Sequence, residues 1–147
     1  VVIRVTVDDR AVVERLQAMP RKVEDALKKT YYRLAVDLQK YIIRQKLSAS
    51  PGYSATMLHR VSGDLVRSIQ WLVTSSTQEV TGKVYSAGDV KYAALHEYGG
   101  SFTKFGRLAG DYTVRMPQRS FMRTSLRENE VNIVDQTKMA VAEGLKE

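Results

Sequence analysis

The segment Arg21 to Leu47 constrains the fold of this chain more than any other stretch of it. At about 100° per residue, Val23, Leu27, Tyr31, Leu34, Leu38, Tyr41 and Ile42 fall on one broad face, which predicts a long amphipathic helix that must bury that face against a partner layer. Lys22, Lys29, Arg33, Lys40 and Arg44 form a narrow basic stripe roughly opposite, and Tyr32, Val36 and Ile43 make a second apolar stripe beside the basic one. One buried face leaves that second stripe unexplained. Two readings account for it: a helix sandwiched between two parts of its own fold, or a subunit interface, since apolar stripes rimmed by charge mark contact surfaces.

The remaining pattern supplies partners for the helix. Ile3, Val5 and Val7 alternate with Arg4 and Thr6, which predicts a half-buried strand over 1–7. Asp8-Asp9 ends it and offers an N-cap, a short helix is expected over 10–19, and Pro20 fits a break before the long helix. Residues 48–60 lack periodicity and read as a loop. Ser62-Gly63-Asp64 caps a short helix through Ile69, with Leu65 and Ile69 facing inward. The β-rich runs 69–74 and 79–86 predict an antiparallel hairpin, in which Gly82 marks a bulge or a close approach. A helix over 89–98 is expected to end in a left-handed cap at Gly99-Gly100. A long flexible loop over 99–115 then leads to a strand at 112–116, and an amphipathic helix over 118–145 closes the core with Met122, Leu126, Ile133, Val134, Thr137 and Val141. The expected class is α+β: one domain over 1–147, with a small antiparallel or mixed sheet against a long N-terminal helix and a C-terminal helix.

Composition narrows the chemistry. With 147 residues, 44% of them hydrophobic, the chain is long enough to bury a core without staples, and the lack of Cys removes disulfides, thiolate metal sites and a Cys nucleophile together. No apolar run has the length of a membrane span, and the first twenty residues carry acids and bases, so folding in a cytoplasm is expected, with no membrane partner. The net charge of +7 favours polyanions or acidic partners.

Catalytic and cofactor signatures are sparse. His96-Glu97 begins like a zinc-protease motif, but position 100 is Gly, so the second imidazole is missing and no metal site is expected. The only other histidine is His59. No nucleophile elbow and no phosphate-cradling Gly motif occurs, so neither enzyme activity nor a cofactor is expected. Residues 99–123 instead mix Lys104, Arg107, Arg115, Arg119 and Arg123 with Phe102, Phe105, Tyr112 and Phe121, against one acid, Asp111. Such mixing suits single-stranded nucleic acid through phosphate pairing and base stacking, or a loop whose aromatic and Arg side chains anchor it in a neighbouring protein.

Two blocks carry a resemblance. Tyr92-Ala93-Ala94-Leu95-His96-Glu97-Tyr98-Gly99-Gly100, followed by Met116-Pro117-Gln118-Arg119-Ser120-Phe121-Met122-Arg123, resembles the virion-morphogenesis or neck family of tailed bacteriophages, which includes minor tail and tail-completion proteins. Gly63-Asp64-Leu65-Val66-Arg67-Ser68-Ile69 is similar to the family's Gly-x-Leu-x-x-Ser segment, and the resemblance spans about residues 10–145. Ser120 stands where the family commonly has Pro, and Ser can cap the helix start instead. Physical roles follow for the shared positions. Gly99 and Gly100 permit the turn, Pro117 directs the chain into the last helix, Tyr92, Leu95 and Phe121 supply core or interface area, and Glu97 with Arg119 forms a candidate ion pair.

The resemblance implies a structural virion protein, made in the host cytoplasm, that joins or completes the tail at the head–tail junction as copies in a ring. Its partners would be further copies, other neck and tail proteins and, through Lys22, Lys29, Arg33, Lys40 and Arg44, the genomic DNA in the channel. A heterologous ring needs two different contact surfaces per subunit. The stripe Tyr32, Val36, Ile43 and the 99–116 segment with Phe102, Phe105 and Arg107 are the expected pair. The alternatives are a small basic nucleic-acid-binding module, and a hydrolase with His96 or His59 beside an acid and a Ser.

Overall fold

The computed structural model describes residues 2–4, 21–48, 58, 63–76, 79–88, 90–104 and 110–145. Asp8-Asp9, the helix expected over 10–19, Pro20, His59, Phe105, Arg107 and most of the 48–60 segment lie outside the described residues. In chain order the elements are β1 (Val2–Arg4), α1 (Arg21–Tyr41), a π-helical turn (Ile42–Lys46), α2 (Asp64–Ser68), β2 (Ile69–Ser75), β3 (Val80–Ser86), α3 (Lys91–Tyr98), β4 (Gly100–Lys104), β5 (Tyr112–Met116) and α4 (Met122–Gly144). The fold is α+β. Its strands form two antiparallel sheets, one of order β1-β3-β2 and one of β4-β5.

Helix α1 organises the molecule. Val23, Leu27, Leu34, Leu38 and Ile42 are buried as their periodicity predicts, joined by Ala35. On one side α1 lies across β2 and β3, and on the other it lies along α4. The two helices run antiparallel. Tyr41 Oη donates to Glu128 at 2.9 Å and Lys46 Nζ pairs with the same carboxylate at 2.8 Å near one end, while Arg33 donates to Gln136 at 2.7 Å further along. The hydrogen bonds from Lys46 and then Tyr41 hold the Glu128 carboxyl below its ordinary value. At the far end Gly144 passes so close to Val23 that an added Cβ would sit 2.5 Å from the Val23 Cα. Ala140, small and buried against Val23 and Leu27, lies one turn before Gly144 at this approach.

The hairpin β2–β3 pairs in regular register from Ile69 opposite Ser86 to Ser75 opposite Val80. Gly82 faces Val73 within that register, so it marks no bulge; a Cβ added there would meet the Tyr31 ring at ordinary contact distance. Ile69, Val84, Leu65, Phe121 and Met122 complete the main core with the C-terminal half of α1. A smaller cluster of Val23, Leu27 and Ala140 holds the other end. Between them Tyr31, Leu34, Gly82, Val84 and Ile133 border a gap of about 50 Å³. No helix among the described residues is long and apolar enough to cross a membrane.

Two expectations are corrected here. Part of the loop expected over 99–115 is strand: Gly100–Lys104 pairs with Tyr112–Met116 along its whole length. Helix α3 also does not close with a left-handed cap, because Gly99 has φ 71° and ψ 178°, a region that is essentially confined to glycine.

Candidate assembly site

The two sequence blocks that carry the resemblance lie about twenty residues apart, and the fold joins them through one buried carboxylate. Glu97, on the last turn of α3, has no exposed surface. Its Oε1 accepts from Ser120 Oγ at 2.7 Å, Arg123 N at 3.0 Å and Arg123 Nε at 3.1 Å. Its Oε2 accepts from the backbone N–H groups of Phe121 and Met122, both at 2.9 Å. The first N–H groups of a helix have no partner inside it and carry partial positive charge, so a carboxylate placed there satisfies donors and dipole together. Glu97 therefore caps α4 from another helix.

The backbone around this clamp is tied as well. The Glu97 carbonyl accepts from Gln118 Nε2 and from an Arg123 guanidinium N–H, each at 3.2 Å, and Arg119 N donates to the His96 carbonyl at 2.8 Å. The Arg123 guanidinium also lies 4.8 Å from the centre of the Tyr98 ring. Gly99 is pressed against this joint, where an added Cβ would come within 3.0 Å of the Gln118 nitrogen. The expected pairing of Glu97 with Arg119 is thus corrected: the cation on Glu97 is Arg123. Ser120 is corrected too, since its hydroxyl donates to Glu97 and does not itself cap the helix. Sequence alone places Arg123 among the basic residues of 99–123 but not on Glu97, because that pairing depends on α3 meeting the start of α4.

Out of the clamp runs the β4–β5 ribbon. All five residues of β4 are exposed, as are Tyr112, Thr113 and Arg115 of β5. Its register places Phe102 opposite Val114 and Lys104 opposite Tyr112 on one side, with Ser101 opposite Arg115 and Thr103 opposite Thr113 on the other. One side is mainly apolar and aromatic, the other polar.

The other expected site residues separate into groups. Pro117 is exposed and leads from β5 into the clamp, while Phe121 is buried in the main core. Tyr92 is exposed and stands edge-on to His96. Burial, and then the nearby Arg119 charge, lower the His96 pKa below its usual value. Tyr32 is 56% exposed and packs edge-on against Trp71 at 4.5 Å, Val36 is half-buried, and Ile43 packs against the main core. The second stripe of α1 is therefore covered by its own fold at Ile43 and open at Tyr32. Lys22, Lys29, Arg33, Lys40 and Arg44 are all exposed, with Arg33 tied to Gln136. Among the described residues no three or more His, Cys, Asp or Glu side chains gather into a metal-binding group.

No family model, curated protein or solved structure matches this chain.

Proposed function

We propose that this chain is a structural subunit of the tailed-bacteriophage head–tail junction, a neck or tail-completion protein that acts as copies in a ring within the virion. The observation that carries the reading is the β4–β5 ribbon: an exposed, two-sided strand pair held at its base by the Glu97 clamp. A two-stranded ribbon alone is at best marginally stable in water, so one with an uncovered aromatic side is suited to a partner surface. The resemblance supports the same reading, since the blocks that carry it, 92–100 and 116–123, build the base of that ribbon. On this reading the partners are further copies, other neck and tail proteins, and the genomic DNA that passes the basic stripe of α1. The role requires no cofactor and no catalysis.

Electron microscopy of particles made by the parent phage without this gene tests the proposal. Filled heads with separate or malformed tails are expected. Normal infectious virions would overturn it.

The exposed cations favour a second reading, a nucleic-acid-binding module. Lys22, Lys29 and Lys40 lie on one stripe of α1 spanning roughly 27 Å at about 1.5 Å per residue, and Arg44 continues it in the π-helical turn. Phosphate contacts would make log affinity for duplex DNA fall with log salt by about 0.9 per contact, and replacing all four by Gln would remove most of that slope. Undetectable binding near physiological salt eliminates this reading.

A further inference from the structure

Strand β2 is one edge of the three-stranded sheet, and no strand among the described residues pairs with its outer side. Its sequence, Ile69-Gln70-Trp71-Leu72-Val73-Thr74-Ser75, has no charge and no proline, the devices by which edges are kept from pairing. Ala87 N donates to the Ser68 carbonyl and Ser76 N to the Glu79 carbonyl, both at 2.7 Å, at the two ends of the β2–β3 hairpin. Antiparallel ladders alternate, so Ser68, Gln70, Leu72, Thr74 and Ser76 aim their backbone groups at β3, whereas Ile69, Trp71, Val73 and Ser75 aim theirs outward. The Ile69 carbonyl accepts from Gln39 Nε2 at 2.6 Å. Beyond Trp71, Val73 and Ser75 no strand lies among the described residues.

The ribbon is the complementary piece. Its strands are five residues long, comparable with the open length of β2, and they pair only with each other. We propose that the β4–β5 ribbon of one copy adds to the β2 edge of a second copy of this chain, extending the three-stranded sheet to five strands. The side chains fit one orientation. With Phe102, Val114 and Tyr112 on the inner side of the extended sheet, they continue the layer of Trp71 and Val73 and cover the exposed face of Tyr32, which stands against Trp71. The polar side of the ribbon then continues the solvent side of β2, where Gln70, Leu72 and Thr74 are exposed. Each copy has one ribbon and one β2 edge, so the contact is heterologous and propagates until it closes into a ring. The closed ring rests on the head–tail reading; the ribbon-to-edge contact itself rests on the strands.

The lack of any cysteine makes the test clean. Thr74→Cys or Leu72→Cys in one preparation is mixed with Thr103→Cys or Thr113→Cys in another under mild oxidation. Cross-strand neighbours stand at a distance that a disulfide spans. Expected is a covalent heterodimer in at least one of the four combinations, together with native mass spectra showing oligomers of the unmodified chain. The double variant Phe102→Glu, Tyr112→Glu changes exposed positions only and is expected to stay folded by circular dichroism while assembling about tenfold or more weakly. Oligomers with no disulfide in any combination, or unchanged assembly of the double variant, overturn the ribbon-to-edge contact and leave the head–tail role standing. A monomer at every concentration with no cross-link overturns it as well. Cross-linked oligomers from a gene whose loss leaves virions normal keep the contact and remove the head–tail role.

Discussion

Replacing Glu97 by Gln keeps the size of the side chain and removes one acceptor oxygen. Five donors converge on the carboxylate, three on Oε1 and two on Oε2. The amide can turn its nitrogen toward only one of these sets. The less costly choice faces the Phe121 and Met122 N–H groups, which then meet a donor in a site with no exposed surface. A buried donor left without a partner costs about 1–3 kcal/mol, and the three remaining bonds lose their ionic component. The expected loss is about 3–5 kcal/mol, a large part of the stability of a domain this size. At about 2–4 °C per kcal/mol the melting temperature should fall by roughly 10 °C, followed by circular dichroism together with a urea titration at constant slope. Arg123→Ala is the comparison. Its side chain is 48% exposed and supplies an ion pair to Glu97, a bond to the Glu97 carbonyl and a contact with the Tyr98 ring, while the backbone capping bonds stay in place, so about 1–2 kcal/mol is expected. A fall under about 3 °C for Glu97→Gln, or equal effects for the two variants, would show that backbone capping by Glu97 does not hold α4 in place.

Three further outcomes follow from the same geometry. Gly99→Ala should cost about 2–4 kcal/mol in a denaturant titration, since it combines a backbone region essentially reserved for glycine with a 3.0 Å approach to the Gln118 nitrogen. Gly144→Ala would stabilise an isolated helix by about 1 kcal/mol, but here the new methyl meets Val23 at 2.5 Å, so thermal melts should show net destabilisation; a raised melting temperature would refute the close helix contact. The His96 pKa is lowered in the folded chain from 6.5, first by burial and then by Arg119, so the unfolded chain binds the proton more readily. Stability should be fully present above about pH 6.5 and fall as the pH drops from there through the folded-state pKa, and His96→Gln should flatten that slope in melts across the range.

Helical periodicity located α1 and α4, because the spacing of apolar residues records which faces are buried, and the β-forming residues of 69–74 and 79–86 located the β2–β3 hairpin. The i, i+4 spacing of Leu65 and Ile69 placed both inward, whereas Glu97, Gly99, Gly100 and Phe121 drew attention only through the two blocks that carry the resemblance. Gly99 and Gly100 were legible because both take positive φ in a turn, a local demand that a local sequence can show. Strand β4 was not legible: every one of its residues is exposed, so no buried face imposes alternation, and its glycine and lysine read as loop. Nor could sequence choose Arg123 over Arg119 as the partner of Glu97, or show that Gly144 meets Val23, since both follow from where separate helices meet. The two readings of the second α1 stripe were likewise divided only by packing, which covers Ile43 with the core and leaves Tyr32 open beside Trp71. The sequence by itself determined which faces must be buried, because apolar area drives burial wherever it is placed. Only the tertiary structure decided which polar groups meet, since hydrogen bonds depend on distance and direction between segments far apart in the chain.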